Sequence, residues 1–436
     1  MTGRRRLTAV VGTVGVVASV ATVAVLLVVS SNGPAPASAA PVGVTGGYAT
    51  ASGATTVAGT GTPGYAGDGG AAVGARLDAP SGLAEDASGD LFIADTGNCR
   101  VREVAASTGI DFGHRVQAGQ IVTLTGGPCG AVADPAPSAV AVDATGDLFI
   151  ASGPGNRVDE LPARSGTSFG RSVTAGKLVS LAGTGVAGSV GDGSPAAQSE
   201  LDDPTGVTVD PSGDLFIADT ANCRLRMVAA STGTRFGISV VRGSIYTVAG
   251  TGVCGSNGDG GPALQAQLWD PGALAVDGGG DVLVADQGNR TIRVLTSHAG
   301  TFYGVALAAD DLGTVAGEGS YGPYLVDGLA AVGETAEINF PTAIAVDAHG
   351  NLFIADGAMQ AIRLVPASPT TLLGKPAQAD SMYTVAGALS TDVLHSRTEW
   401  IQTRMLYPAG LALTPAGQLV FSDAQAHVVR RLPSGT

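Results

Sequence analysis

Residues 77–104, LDAPSGLAEDASGDLFIADTGNCRVREV, decide the fold, because related copies of this stretch recur along the chain. The proline of the stretch returns at intervals of 57 to 70 residues, at Pro80, Pro137, Pro204, Pro271, Pro341 and Pro408. Each copy holds short apolar runs separated by turn residues, and a further apolar run, such as IVTLTGG or SIYTVAG, follows a longer loop. This pattern predicts an all-β fold, a six-bladed β-propeller of four-stranded antiparallel blades.

The two ends of the chain complement each other. The last copy lacks a fourth strand, because the chain ends soon after the apolar residues 428–432. The segment TTVAG at residues 55–59 has the pattern of a fourth strand. We predict that this N-terminal strand pairs with the C-terminal blade and closes the ring, so that the propeller spans residues 55–436.

The N-terminus has the layout of an export signal. Three arginines, Arg4 to Arg6, precede an apolar run over 7–29, and a Pro/Ala/Ser-rich segment ends in an A-x-A pattern near Ala39. We predict a signal peptide or an N-terminal membrane anchor over 1–40 and a flexible linker over 41–54. The expected location is secreted or extracellular. The alternative is a protein that residues 7–29 anchor to the outer side of the cell membrane.

The net charge of −14 narrows the range of partners. A chain with 37 acidic and only 23 basic residues is repelled by phosphate backbones and anionic lipid. We therefore expect no nucleic-acid partner, and a membrane partner only if the N-terminal segment is retained. A protein or a component of the cell envelope is the expected partner.

Four cysteines occur as two pairs with nearly the same spacing. Cys99 and Cys223 hold equivalent positions after the second strands of repeats one and three, and Cys129 and Cys254 follow the fourth strands of those repeats. Neighbouring antiparallel strands bring the start of the third strand beside the end of the fourth. We predict disulfides Cys99–Cys129 and Cys223–Cys254, in agreement with an oxidising compartment.

The turn after each first strand has the pattern D-x-x-G, as in Asp86 to Gly89. An aspartate in the first position accepts hydrogen bonds from turn amides, and a glycine in the fourth adopts positive φ. A calcium ion between Asp86 and Asp90, or between Asp210 and Asp214, would need the alternating D-x-D-x-D-G loop, which is absent. We interpret these residues as hairpin-turn residues and predict no metal site. Glu85 stands where other repeats have valine or leucine, and we expect it to reach water at a strand end.

Each second strand ends on an aspartate, and an arginine follows seven residues later. These residues are Asp95 and Arg102, Asp219 and Arg226, Asp286 and Arg293, Asp356 and Arg363, and Asp423 and Arg430. Repeat two has Ser152 and Asp159 instead, so it has lost both members together. We predict structural ion pairs. A ring of five carboxylates that binds a cation at the propeller mouth is the alternative, against which the nearby arginines argue.

Between the second and third strands, segments such as Thr96-Gly97-Asn98 are expected to supply the left-handed residues of the strand turn. The later G-x-x-F-G loops carry Phe112, Phe169 and Phe236, with Tyr303 in repeat four. We interpret these rings as packing anchors of long loops.

A glycine-rich insert with an aspartate precedes the proline of four repeats. In a four-stranded blade these inserts emerge at the same end as the second-to-third strand turns, so the aspartates should gather near the turn asparagines. The candidate ligand-binding residues are Asp68, Asp192, Asp259, Asp327, Asn98, Asn222 and Asn289. Long loops on a rigid ring often carry recognition, and acidic loops favour a basic or polar partner. The alternative is that the aspartates cap their own loops.

The combined pattern P-x-G-[L/V]-x-x-D-x-x-G-[D/N]-L-F-I-A-D-x-x-N-x-R-[V/L]-R resembles the NHL repeat. The version with a VAGTG…GDGGPA segment is similar to repeats of bacterial secreted proteins and of teneurins, and the likeness covers about residues 55–436. It departs from the pattern at Met359 and Ala426, which replace the turn asparagine. The resemblance implies a propeller that binds a partner, which is usually a protein and in some members of the family a nucleic acid. A few related propellers are lyases.

The residues favour a binding module over an enzyme. A lyase needs clustered histidines for a metal or for acid and base catalysis, but His114, His298, His349, His395 and His427 fall at unrelated places in the repeat. We therefore predict no catalytic residue and no cofactor. The alternative is a lyase-type propeller enzyme with a metal or histidine site in the axial channel.

Overall fold

The computed structural model describes residues 53–130, 136–319, 327–333, 336–372, 375–387 and 405–433. Within them, six antiparallel sheets share one core arrangement of four strands. The first strands of the six sheets pack side by side around a closed ring. The predicted six-bladed propeller is confirmed. No helix in the described part of the chain is long and apolar enough to cross a membrane.

The strands of each blade follow the sequence repeats. The inner strands are Pro80–Glu85, Ala139–Val142, Pro204–Val209, Pro271–Val276, Pro341–Val346 and Pro408–Leu413. The second strands are Leu91–Asp95, Leu148–Ser152, Leu215–Asp219, Val282–Asp286, Leu352–Asp356 and Leu419–Asp423. The third strands are Arg100–Val104, Arg157–Leu161, Arg224–Val228, Thr291–Leu295, Ala361–Val365 and Val428–Arg431. The outer strands of blades 1 to 5 are Ile121–Gly126, Val179–Ala182, Ile245–Ala249, Asp311–Ala316 and Ser381–Gly387.

The N-terminal strand supplies the outer strand of blade 6. Thr55–Ala58 pairs antiparallel with Val428–Arg431, with Thr55 opposite Arg431 and Ala58 opposite Val429. The predicted closure of the ring is therefore confirmed. Of the sequence N-terminal to the propeller, residues 1–40 and most of 41–54 lie outside the described residues.

The core lies between the blades. The LFIAD-type second strands are buried along their whole length, because both faces of each blade meet a neighbouring blade. Six clusters of buried apolar side chains fill the six junctions, for example Phe353 and Ile362 with Phe421 between blades 5 and 6. This burial explains why these strands read as continuous apolar runs.

Side-chain hydrogen bonds connect each blade to residues at the start of the inner strand of the next blade. Ser81 Oγ donates to the carbonyl of Ser138, and Ser138 Oγ donates to that of Pro204. The remaining donor–acceptor pairs are Thr220 to Pro271, Gln287 to Pro341, Thr342 to Pro408 and Ser422 to Ser81. A polar contact of this kind is thus present at all six junctions.

Short hairpins lie at one end of the propeller. A hairpin connects the third and outer strands of blades 1 to 5: Gly109–Asp111 with His114–Val116, Gly166–Ser168 with Arg171–Val173, Gly233–Arg235 with Ile238–Val240, Gly300–Phe302 with Val305–Leu307, and Thr370–Leu372 with Lys375–Ala377. The end with these hairpins and the D-x-x-G turns is called the hairpin end. The loop phenylalanines pack edge to face on second-strand phenylalanines, with 5.8 to 6.0 Å between ring centroids; they are Phe112, Phe169 and Phe236.

The opposite end, called the insert end, carries the second-to-third strand turns and the beginning and end of each insert. The middle of an insert runs along the outer strand, so that Gly261–Pro262 pair with Asp311 and Leu312 at the start of that strand. The inserts are residues 59–79, 183–203, 250–270 and the described parts of 317–340. Those before blades 4 and 5 add short edge strands, Gly261–Pro262 and Leu329–Ala330, to the outer strands. The 3-10 turns are Ala72–Gly74, Thr96–Asn98, Ala196–Gln198, Thr220–Asn222, Ala263–Gln265, Gln287–Asn289 and Ala424–Ala426.

Candidate functional site at the insert end

The insert aspartates contact the buried arginines of the third strands. Arg226 is fully buried, and its Nη2 lies 2.7 Å from Asp192 while its Nη1 lies 3.2 Å from Asp219. Blades 1 and 4 repeat the arrangement. There the distances are 2.6 Å for Arg102 to Asp68, 3.7 Å for Arg102 to Asp95, 3.1 Å for Arg293 to Asp259 and 3.4 Å for Arg293 to Asp286. Each arginine therefore joins a second strand to an insert.

Blades 5 and 6 contain parts of the same arrangement. Arg363 lies 3.6 Å from the insert residue Asp327, and the charge of Asp356 opposes the lowering of the pKa of Arg363 by burial. In blade 6, Arg430 lies 3.6 Å from Asp423. In blade 2, which has lost the usual pair, Asp159 instead lies 2.8 Å from Arg157.

The turn asparagines hold the inserts against the blades. Asn98 Nδ2 donates to Asp95 and to the carbonyl of Gly64, at 2.8 and 2.9 Å. Asn222 and Asn289 make the equivalent contacts with Gly188 and Gly255. In each of blades 1, 3 and 4, the turn asparagine thus donates to the same insert that carries the predicted aspartate. Their role in ligand binding stays a prediction.

The electrostatics of the carboxylates follow their burial. Burial raises the pKa of Asp95 and of Asp286 to about 6, although backbone, asparagine and arginine contacts act in the opposite direction. Burial alone would also raise the pKa of Asp68, but hydrogen bonds from Tyr65, Thr123 and Arg102 bring it below its usual value. The second-strand aspartates Asp95 and Asp286 are therefore internal groups, whereas the contacts of Asp68 favour its charged form.

The insert aspartates remain open to solvent on one side. The exposed fractions of their side chains are 34% for Asp68, 50% for Asp192, 47% for Asp259 and 24% for Asp327. A carboxylate that contacts a buried guanidinium with one side can still meet a ligand with the other. The capping role and the binding role are thus compatible in this geometry.

The strand turns differ in detail from the sequence prediction. Thr96, Gly97 and Asn98 form a 3-10 turn, and the left-handed residue is Cys99, with φ of 54°. Cys223, Arg290 and His427 take the same conformation in their blades. The prediction that Thr96–Asn98 supply the left-handed residues was wrong, because the tight turn ends one residue later.

Both predicted disulfides are present. Cys99 bonds to Cys129 and Cys223 to Cys254, each with a Cα–Cα distance of 5.3 Å. Each bond joins a second-to-third strand turn to the segment after the outer strand of the same blade. Cys254 belongs to the insert before blade 4, so this insert is tethered to blade 3 covalently and to blade 4 through Asn289.

Residues just before the inner strands line the rim of the insert end. One part of this rim is acidic and contains Asp202, Asp203 and Asp270. Burial, together with the charges of the other two aspartates, raises the pKa of Asp203. Trp269 and Phe340 are 50% and 39% exposed on the following blades. Sequence reasoning missed these two aromatic residues, although each lies within two positions of an anchoring proline, where most repeats have small or acidic residues.

The described histidines do not converge at this end. His298 and His349 lie at the hairpin end, 3.5 Å from Asp281 and 3.8 Å from Asp347. His114 is exposed in a hairpin strand, and His427 contacts the amide of Ala79 at 3.1 Å. His395 lies outside the described residues.

Comparisons with known proteins agree with this architecture. The NHL repeat model matches residues 201–226, and no curated protein matches the sequence. A structural genomics protein of unknown function from Bacteroides thetaiotaomicron has 14% identity and a TM-score of 0.55, with 87% of this chain and 75% of that chain covered. An auxiliary nutrient binding protein from the same organism has 12% identity and a TM-score of 0.55, with 88% and 76% covered.

A streptogramin B lyase has 12% identity, with 83% of this chain and 95% of that chain covered, at a TM-score of 0.42. These likenesses concern the fold alone. The chain thus contains a match to the NHL repeat at residues 201–226 within a six-bladed β-propeller.

Proposed function

We propose that this propeller is an extracytoplasmic binding module whose partner, a protein or a cell-envelope component, docks on the insert end. The observation that carries this proposal is the position of the exposed apolar side chains. Among the described residues, most of the large ones lie on the inserts: Tyr65, Val73, Val186, Val190, Val253, Leu264, Trp269, Leu329 and Phe340. Apolar groups rimmed by polar ones are typical of interaction surfaces.

The insert before blade 4 is the best-defined part of this surface. Val253 and Trp269 are 60% and 50% exposed near the two ends of an insert that a disulfide and Asn289 hold in place. Such a preorganised loop loses little conformational freedom when it binds. The half-exposed Asp259 beside these residues supplies a negative charge, which favours a partner with basic or donor groups.

The location outside the cytoplasm is part of the proposal. Two disulfides are stable in an oxidising compartment, and the N-terminal sequence has the layout of an export signal. Secretion and anchoring by residues 7–29 both present the propeller to the cell envelope. Fractionation of the producing cells, with antibody detection, distinguishes the two.

Partner binding is tested by changing exposed apolar groups of the insert end, since half or more of each side chain is open to solvent. The variant V253S/W269S is compared with wild type in crosslinking to envelope extracts, followed by affinity measurement with the identified partner. We expect at least a tenfold loss of affinity, because central aromatic anchors often contribute more than 1 kcal/mol each.

The matched control is I110S/V241S, which changes two exposed apolar residues at the hairpin end. It should bind the same partner as wild type. Equal binding by the insert variant would contradict the proposal. An enzymatic activity that is lost on replacement of a histidine would instead support the lyase alternative.

A further inference from the structure

A cavity of about 450 Å³ opens between blades 1 and 2 at the hairpin end. Blade 1 lines it with Glu85, Asp90, Glu103 and Asp111, and blade 2 contributes Asp143 and, at an exposed edge, Arg164. This cavity is remote in the blade from the insert end and takes no part in the binding surface proposed above.

Three of these carboxylates meet in one place. One oxygen each of Asp90, Glu103 and Asp111 lies within 4.8 Å of the others. Asp90 precedes the second strand, Glu103 lies in the third strand and Asp111 ends a strand of the hairpin. The blade fold therefore brings together acidic groups from three separate elements.

Within the described part of the chain, Glu103 is a member of the cluster without a hydrogen-bond partner, whereas Asp90 accepts from the amide of Ala106 at 2.6 Å. Its side chain is fully buried, and neither carboxylate oxygen has a hydrogen-bond partner among the described residues. A buried carboxylate without a partner is costly, and neighbouring carboxylates add repulsion. Burial and the charges of Asp111 and Asp90 raise the pKa of Glu103 to about 8.

Comparison with the other blades shows that the group of three carboxylates is specific to blade 1, since blade 2 shares only the equivalents of Asp90 and Glu103 and has Ser168 in place of Asp111. Where blade 1 has Glu103, blades 3, 4 and 5 have Met227, Val294 and Leu364, which are buried apolar residues. A blade can therefore be built without a carboxylate at this position.

Blade 3 neutralises the equivalent of Asp90 with an arginine. Asp214 holds that position and forms an ion pair with Arg235, which is the counterpart of Asp111 in the hairpin. In blade 2, Arg171 lies 3.8 Å from Glu160, the counterpart of Glu103. Blade 1 thus has a third carboxylate where blade 3 has a guanidinium.

We propose that Asp90, Glu103 and Asp111 bind a calcium ion. The donors are all carboxylate oxygens, which suits a hard cation better than zinc, whose sites usually include histidine nitrogen or cysteine sulfur. Calcium takes six to eight oxygen ligands in flexible geometry, and the open cavity leaves room for waters to complete the shell. Glu85 lines the same cavity, where its Oε2 is buried without a hydrogen-bond partner.

The experiment is a calcium titration of the purified full-length chain after treatment with chelator. Isothermal calorimetry should give a single site, and a hundredfold excess of calcium over Kd should raise Tm by about 3 °C. The variant E103Q should lose the response. The matched variant E160Q, at the same position of blade 2, should keep it.

A second variant tests the site without disturbing the buried position. D111R copies the arginine of blade 3, so it should remove the calcium response and raise Tm in chelator above that of wild type. Wild-type protein that binds none of calcium, magnesium and manganese at millimolar concentration would overturn the proposal. A D111R protein that binds calcium like wild type would also overturn it, and so would a wild-type preference for magnesium or manganese over calcium.

Discussion

In blades 1, 3 and 6 the third position of the P-x-G pattern is a glycine that close contact between inner strands requires, whereas blades 2, 4 and 5 have alanine there. A Cβ on Gly82 would lie 2.6 Å from the Cα of Ala139, and one on Gly206 would overlap the carbonyl oxygen of Gly272. Neither glycine has positive φ, so space and not backbone strain is the constraint. These residues set how closely the blades approach around the axis.

We predict that G206A destabilises the propeller by about 3 kcal/mol, because backbone of blade 4 must move to admit the methyl group. Thermal and urea unfolding measure the change. G278A is the control, since a Cβ there meets nothing within 4 Å. Equal stability of the two variants would contradict this account of the inner ring.

At the level of elements, the local patterns were readable from sequence and the contacts between distant segments were not. Strands and D-x-x-G turns depend on neighbouring residues, and Asp86 indeed accepts hydrogen bonds from Ser88 and Asp90. Arg102 meets Asp68, 34 residues earlier, only because the irregular insert that precedes blade 1 folds back along its outer strand. No periodicity encodes that path, nor the one that brings Asp111 to Glu103.

The disulfides follow from spacing because each closes a turn within one blade. Their bonds enclose separations of 30 and 31 residues. We predict that C223S/C254S loses about 3–4 kcal/mol of stability, through greater entropy of the unfolded chain. Urea unfolding measures this change.

C99S/C129S should cost a similar amount, because its loop is nearly as long. C223S/C254S has a further consequence that C99S/C129S lacks, because Cys254 lies in the insert before blade 4. C223S/C254S should therefore also weaken partner binding, while C99S/C129S should retain it. Equal partner affinity for both variants would show that the Cys223–Cys254 disulfide does not position the binding surface.

On the scale of the whole molecule, the ring is held by contacts that connect its first and last blades. Ser422 of blade 6 donates to the carbonyl of Ser81 in blade 1 at 2.7 Å. Apolar side chains of the two blades share a buried cluster that includes Ala58, Leu83 and Val429. A propeller without this junction would expose a sheet edge and one face of each terminal blade.

The N-terminal strand is the element that completes this junction. Deletion of residues 1–58 removes a four-residue strand and the fully buried Ala58. At about 1 kcal/mol for each backbone hydrogen bond, we predict a loss of roughly 3–4 kcal/mol. Hydrogen exchange should show blade 6 opening before the other blades. Deletion of residues 1–52 is the control and should leave Tm unchanged. Equal protection of blade 6 in both truncations would show that Thr55–Ala58 does not hold the ring closed.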